Sequence, residues 1–473
     1  MARPRNPNAK PNVGIVKRKQ KDGSYLVFEK TSVYDPVKKN SKTIKEVRIG
    51  VLPADYKDEK KDLQPWIPKR KSKKVNPALN AATEVQDSRE VTKVKYPLAQ
   101  SLMTLLLAFL CGCTTCLQVE AFWKSNLNKL RELMPELPDS VVSHDTIRRF
   151  IMLLGRDEQQ TFFHKITSPL IHAFKVRRVA IDGQAVRAST IDGHRHPYVF
   201  NAFDADNGLV LNQTLINAKD NEISQSIKLI ESLDLRDCVL TADAMNTQKK
   251  LVQFLIEEKG CDYCLAVKSN HKTLLDLIEI AFSNAHKAKF QQALWESKAV
   301  QRVEKGHGRI ENRRLRVLPA SLIGQEICDE WFGLFYGTIV EAITETTDPK
   351  TGKTSSQTRY FISSLNFERQ YIAEQIAHIV RGHWAIENQL HWNLDVCLNQ
   401  DRISCRNADF LKGITSLNKI SLNLQNKIKE LIENEERKPI TRPMLMRMLA
   451  DINLSFDLII KTYLENWDSS PHA

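Results

Sequence analysis

Apolar positions recur at two different periods along this chain of 473 residues. From Pro97 to about Lys175 the spacing is helical. A Leu-rich run covers Leu102–Leu110, a second covers Val119–Leu133, and a third, Ile147–Leu154, is entered through Ser143-His-Asp-Thr146. The Ser, Asp and Thr of that entry suit a helix N-cap, where a side-chain oxygen takes a free backbone N–H. From Lys175 onward the pattern switches to short β-prone runs alternating with helices. Val176, Val179, Ala180 and Ile181 make a strand that stops at Asp182-Gly183. Tyr198–Phe203 and Leu209–Ile216 flank Asp204-Ala-Asp-Asn-Gly208, a hairpin turn by composition. An amphipathic helix over Glu222–Leu233 leads to a fourth strand, Cys238–Asp243. A helix over Thr247–Lys259, a strand over Tyr263–Val267 and a helix from Thr273 complete the series.

Three strands, then helix–strand–helix–strand–helix, is the order of a ribonuclease H-like α/β core. Its first and fourth strands are neighbours, which predicts Asp182 and Asp243 side by side. Residues 290–365 interrupt the pattern with strand-like Arg309–Leu318, Trp331–Ile343 and Arg359–Ser364 around the turn-rich Thr346–Ser356, a β-rich insertion. Helical periodicity resumes at Ile372, Ile376, Ile379 and Val380 and runs toward Val396. Further helices are expected over Ala408–Glu435 and Pro443–Trp467. At the other end, Gly23–Phe28 and Ile44–Ile49 read as strands of a small module. A Pro-, Asn- and Lys-rich flexible segment (1–20) precedes it and the charged linker Lys57–Lys74 follows. The expected organisation is a basic N-terminal arm with a small β module (1–75), a helical domain (76–174) and the first part of the ribonuclease H-like domain (175–290). The β-rich insertion (291–366), the completion of that domain (367–435) and a helical tail (436–473) follow.

Charge sharpens this division. The net charge is +13, and residues 1–75 alone hold 21 Lys and Arg against 8 Asp and Glu, leaving 48 of each in the remainder. The basicity is a property of the arm, and it favours nucleic acid as the partner over a merely solvated tail. Nine cysteines without a secretory signal indicate reduced thiols in a cytoplasmic protein. Cys113/Cys116 and Cys261/Cys264 are Cys-x-x-Cys pairs that lack the spacing of a zinc site. Pro97–Val119 carries no charge, but its Gln, Ser, Thr and Gly content fits a buried helix pair better than a membrane span. No Ser-His-Asp order, P-loop or dinucleotide motif occurs.

A carboxylate at the end of a buried strand is costly unless a positive group meets it. Asp182 and Asp243 therefore suggest a shared cation site, which needs a third ligand. The predicted helix offers His383, Glu387, His391 and Asp395 at steps of four, on one face. Three readings remain open at this point. His383, Glu387 and His391 could form a transition-metal site. Glu387 could complete an oxygen-rich Mg²⁺ site with the aspartates, the histidines, Trp384 and Trp392 facing DNA or packing. The stripe could also be merely solvated, with the tryptophans in the core.

The motifs themselves narrow the choice. Ser143-His-Asp-Thr146, Ala180-Ile-Asp-Gly183, Asn221-Glu-Ile223, Leu240-Thr-Ala-Asp-Ala-Met245 with Gln248, and Asp262-Tyr-Cys-Leu-Ala-Val-Lys268 with Asn270 occur in that order. Gly306-His-Gly-Arg309 with Glu311 and Arg313, His383-Trp-x-Ile-Glu-Asn388, and His391-Trp-x-Leu-Asp-Val396 with Asp401-Arg402 follow. Over about residues 97–425 this set resembles the DDE transposases of bacterial insertion sequences, in the branch that includes the H-repeat-associated proteins. The departures are Lys268-Ser-Asn-His271 for Lys-Gly-Asn-Gln and Gln400 for an acid. Val380, His383 and Leu394 also stand where a larger related group has Tyr, Arg and Lys. The resemblance implies that Asp182, Asp243 and Glu387 are the catalytic acids and bind Mg²⁺, or Mn²⁺ in its place. Candidates for DNA contact are Lys268, Asn270, Arg309, Arg313, Arg381, Trp384, His391 and Arg402, with surface salt bridges as the alternative for the cations. The expected activity is binding of element ends, metal-dependent cleavage and strand transfer into target DNA, both partners double-stranded. A homodimer on DNA in the bacterial cytoplasm, at the nucleoid, is the expected setting. The alternatives are a catalytically silent DNA-binding derivative and a nuclease without strand transfer.

Overall fold

The computed structural model describes residues 12–19, 25–35, 40–52, 76–90, 92, 94–156, 160–172, 178–216, 222–287, 298–306 and 308–468. The first eleven residues, the linker Lys57–Lys74, the start of the first predicted strand at Lys175–Arg177, Asn221 and His307 lie outside them. The chain divides into two compact units, Met1–Val75 and Asn76–Ala473.

In the first unit, β1 (Asn12–Lys19), β2 (Tyr25–Asp35) and β3 (Asn40–Leu52) form an antiparallel sheet in the order β1-β2-β3. The segment 1–20, expected to be flexible, thus contains a strand. That strand, β1, pairs along all eight residues with β2.

The second unit opens with helices α1 (Pro77–Thr83), α2 (Leu98–Leu110), α3 (Cys116–Leu133), α4 (His144–Leu154) and α5 (Gln160–His172). The uncharged stretch is a buried helix followed by a turn. Eleven of the thirteen α2 residues are buried, and Gly112, at a φ of +91°, turns the chain before the Thr115 capping box opens α3. Among the described residues, no helix is long and apolar enough to cross a membrane. Ser143 caps α4 as expected, its Oγ accepting from the Thr146 N–H.

A nine-stranded mixed sheet follows. It contains β4 (Arg178–Ala185), β7 (Tyr198–Asp204), β8 (Leu209–Ile216), β9 (Val239–Ala242) and β10 (Asp262–Val267), with β5 (Thr190–Ile191) and β6 (His194–Arg195) as a separate small hairpin. Helices α6 (Glu222–Glu231), α7 (Lys249–Glu257) and α8 (Lys272–Lys287) alternate with the later strands. The insertion contributes β11 (Ala299–Gly306), β12 (Arg309–Pro319), α9 (Gln325–Glu330), β13 (Thr338–Thr347) and β14 (Thr354–Ser363). The spatial order is β11-β12-β13-β14-β10-β9-β4-β7-β8. β9 runs parallel to β4 and to β10, while the other pairs are antiparallel. The insertion therefore extends the same sheet instead of forming a separate module.

Two differences from the sequence pattern have local causes. Trp331 is not in a strand. It is buried edge-on against the His271 ring, 5.2 Å between centroids, and the strand waits until Thr338. Gly337 permits this, because a Cβ there would lie 2.2 Å from the Ser363 carbonyl oxygen. The expected last helix is two, α12 (Arg442–Leu449) and α13 (Ile452–Asp468). Asp451 separates them, its Oδ1 accepting from the Asn453 N–H and so restarting the helix.

Side-chain alternation along β4 positions the site. Val179 and Ile181 join the core beneath α6, α7 and α8, while Ala180 joins the core that contains Ile386, Leu390 and the helices of the first half. With a period of two, Asp182 and Gln184 share the face of Ala180. That face carries α10 (Ile372–Ala385) and the segment beyond it, backed by the long α11 (Ala408–Glu436). α4 packs on α11 at van der Waals limits, because neither Gly155 nor Gly413 has a Cβ. One would meet the Asp409 carbonyl oxygen and the other that of Ile151, both under 2 Å. α11 also covers the outer strand. Asn423 accepts from the Val210 N–H and donates to its C=O, at 2.8 and 2.9 Å, so edge groups of β8 that face away from the sheet are satisfied.

Candidate active site

Asp182 lies within β4 and Asp243 just past the end of β9. The parallel register pairs Ile181 with Ala242, so the two acids occupy the next rung together, as the strand order required. Each is held by local hydrogen bonds. Asp182 Oδ1 accepts from the Gly183 N–H at 2.9 Å. Asp243 caps the turn Ala244–Asn246, its Oδ1 accepting from Asn246 Nδ2 at 2.8 Å and from the Asn246 N–H at 3.2 Å. On the other side of β4, Asn201 of β7 stands opposite Asp182, buried, with its Oδ1 unpartnered.

Glu387 comes from the segment after α10, whose helical turns are widened. The Trp392 N–H bonds to the Glu387 carbonyl and the Leu398 N–H to that of Asn393, both five residues back, so 386–391 and 393–397 are π-helical. A step of four residues overshoots an α turn and falls short of a π turn. Passing from one to the other keeps His383, Glu387, His391 and Asp395 in one line along the sheet. His383 Nδ1 lies 3.1 Å from Thr241 Oγ1 on β9. His391 Nδ1 lies 3.4 Å from Glu387 Oε2 and 3.8 Å from Asp182 Oδ2. Asp395 Oδ1 accepts from Gln184 Nε2 at 2.7 Å. Ligand atoms of Asp182, Glu387 and His391 all fall within 4.8 Å of one another, a donor set of two carboxylates and one imidazole.

Electrostatics mark Asp182 as the strained member. Burial pushes its carboxyl up to about 7, and the neighbouring charges of Asp243 and Glu387 add to the rise against the Gly183 hydrogen bond. Burial also lowers His383 and His391 and raises Asp395. A cation at this place would relieve the first of these effects directly, since it offsets both the lost hydration and the acid–acid repulsion. The hard carboxylate oxygens suit a divalent cation.

The other predicted residues divide into two groups. Lys268, Arg309 and Arg402 are exposed, and Trp384 is 46% exposed with the Arg359 guanidinium 4.9 Å over its ring. Asn270, Arg313, Arg381 and His391 are engaged within the protein. Asn270 Nδ2 donates to the Ala244 carbonyl at 2.7 Å, tying the turn after Asp243 to the end of β10. Arg313 and Arg381 both pair with Glu304 of β11, Arg313 at 2.7 Å. His391 is 6% exposed, and its Nε2 is buried without a partner.

The sequence reading missed a buried polar layer behind these groups. Gln400 Nε2 donates to Gln184 Oε1 at 2.9 Å, and Asn418 Nδ2 reaches Gln400 Oε1 at 3.4 Å. Gln400, flagged only as a departure from an acid, needs an amide because it both donates and accepts in the interior. Lys419, fully buried on α11, donates to Gln213. Arg442 of α12 donates to the side-chain oxygens of Asn393, Gln425 and Asn426 at 2.8, 2.8 and 2.7 Å. Asn393 in turn donates to the Gln389 carbonyl inside the π-helical segment, at 2.7 Å. Nothing in the spacing of single polar residues within long amphipathic helices could have shown these partners.

Two family profiles match the chain, "Transposase DDE domain" over residues 174–424 and "DDE_Tnp_1-associated" over residues 79–166. Among curated proteins, "Putative transposase YncI" of Escherichia coli O157:H7 is 31% identical over 373 residues, covering 76% of this chain and 90% of that protein. "H repeat-associated putative transposase YhhI" of Escherichia coli K12 is 27% identical over 373 residues, with coverage of 78% and 95%. Among solved structures, a piggyBac transposase synaptic complex with hairpin DNA aligns over 82% of this chain and 77% of that one. Its TM-score is 0.39 at 11% identity, too low to bear on the site. With a DDE domain across more than half its length, and a divalent metal implied by that domain and by its cluster of acids, the chain belongs to the DDE transposases.

Proposed function

We propose that this transposase binds the ends of its own insertion sequence, cuts them with a divalent metal, and joins the freed 3′-hydroxyls to target DNA. The observation that carries the reading is the convergence of Glu387 on Asp182, about two hundred residues earlier in the chain, with Asp243 beside it at the end of the adjoining strand. The order β8-β7-β4-β9-β10, with β4 and β9 parallel, supports a ribonuclease H-like core. Asp182 and Glu387 would hold the metal, Mg²⁺ or Mn²⁺, and Asp243 would join them on leaving its cap on Asn246. When bound, such a metal activates the attacking oxygen and stabilises the leaving one. The residues themselves supply position. Gly183 fixes the Asp182 carboxylate, and Thr241 and Gln184 anchor the helix carrying Glu387 on either side of it. Lys268, Arg309 and Arg402 are the open cations for phosphate contact, and Trp384 offers an exposed ring. The basic arm, residues 1–75, supplies salt-sensitive DNA affinity, and a homodimer would bring two ends together.

The test uses linear DNA bearing an element end. Asp182→Ala should lose Mg²⁺-dependent cleavage while retaining end binding in a gel shift; full cleavage by that variant would sink the assignment. A pre-cut end offered with target DNA separates transposition from simple nuclease action, since only the former yields joined product.

A further inference from the structure

The geometry points to His391 as a nitrogen ligand of the Asp182–Glu387 metal site, which makes that site prefer Mn²⁺ to Mg²⁺. The inference rests on the metal chemistry proposed above and assigns His391 to it in place of DNA contact.

Burial decides against DNA contact. At 6% exposure the ring cannot reach a phosphate without repacking of the segment that carries it. Its Nδ1 is directed instead at two carboxylate oxygens, 3.4 and 3.8 Å away. The longer separation is no hydrogen bond and the shorter is at the limit of one. Both match a shared coordination shell. With bonds of about 2.0–2.2 Å, donors around one cation stand about 3 Å apart when adjacent and about 4.2 Å apart when opposite. The three donor atoms, all within 4.8 Å, need only a small closure to reach that shell.

On the far side of the ring, Nε2 is buried and has no partner among the described residues, so Nδ1 is the nitrogen that faces the acids. With a cation among the carboxylates, the ring would carry its hydrogen on Nε2 and turn the Nδ1 lone pair to that cation. A lone pair facing two carboxylates is repulsive until a cation sits among them. The π-helical turns select this histidine, since they set His391 beside Glu387 and leave His383 at Thr241. An imidazole donor among carboxylates shifts selectivity from Mg²⁺ toward borderline cations.

The experiment is pulsed EPR of Mn²⁺ bound to the full-length protein without DNA. Wild type is expected to show coupling to one directly bound ¹⁴N, replaced by ¹⁵N coupling when histidine is isotopically labelled. His391→Asn, whose side-chain oxygen can occupy the place of Nδ1, should keep the metal but lose the nitrogen coupling and bind Mn²⁺ about tenfold more weakly. His383→Asn should keep the coupling. Mn²⁺ bound to wild type with no nitrogen coupling, or coupling that survives His391→Asn, overturns the assignment of His391 and leaves the acid site standing. Failure of wild type to bind Mn²⁺ at a site sensitive to Asp182→Asn overturns both.

Discussion

Replacing Asp182 by Asn is expected to stabilise the metal-free protein at pH 8 and to do little near pH 4. The Asp182 carboxyl titrates at about 7 in the fold against 3.8 for the free side chain, mainly through burial and then the charges of Asp243 and Glu387. The fold therefore holds the proton more tightly than the unfolded chain. Below about pH 4 both states are protonated and nothing is lost. Between pH 4 and 7 the unfolded chain releases its proton first, so stability falls as pH rises, and above 7 the loss is complete. A difference of roughly three pKa units corresponds to an upper figure of about 4 kcal/mol. Asn removes the charge, and its Oδ1 can still accept from the Gly183 N–H. Urea unfolding in EDTA at pH 4.5 and 8 measures the effect, and a gain of about 2 kcal/mol is readily resolved in such midpoints. Saturating Mg²⁺ or Mn²⁺ should shrink or reverse the difference, because only wild type gains from the metal. A variant no more stable than wild type at pH 8, or equally favoured at both pH values, refutes the claim that a costly buried charge sits at this site.

Arg442→Met should cost about 2–4 kcal/mol, as three amide oxygens lose a charged donor. End cleavage should fall more than end binding, because Asn393 no longer steadies the turns that present Glu387; paired cleavage and gel-shift assays check this. Lys419→Met should be more favourable relative to wild type at pH 7 than at pH 9.5. Burial holds the Lys419 ammonium well below its ordinary 10.5, so wild type loses stability as pH falls below that value, by up to about 1.4 kcal/mol per pH unit. Unfolding midpoints at the two pH values that differ by a constant amount would count against it.

Most strands and helices of the second unit were legible because apolar period and turn residues agreed. β8 runs over Leu209–Ile216, the very residues of the β-prone run, and most of its residues on both faces are buried. β11 was silent for the opposite reason. Gln301, Arg302, Val303 and Lys305 are all exposed on an outer strand, so no face writes an apolar pattern. The same logic separates the site residues. Asp182 and Asp243 stood out because an acid after an apolar β-prone run is anomalous by itself, although β4 does not stop at Asp182 as expected but pairs with β7 through Ala185. His391 was a candidate both for a metal site and for DNA contact, because a histidine at a step of four reads alike whether it faces solvent, DNA or a carboxylate. Its meaning depends on the widened turns, inside which Asn393 bonds to the Gln389 carbonyl, and no local propensity encodes those turns.

The distance along the chain between Asp182 and Glu387 also governs when the site can exist. During synthesis, β4 and β9 emerge with both aspartates long before the helix that brings the glutamate, and the strands of the insertion come between. A nascent or prematurely terminated chain ending in that interval carries two acids but no complete ligand set. On the proposed function, cleavage would be withheld until nearly the whole second unit has been made, and a truncated copy of the gene would yield a protein without Glu387.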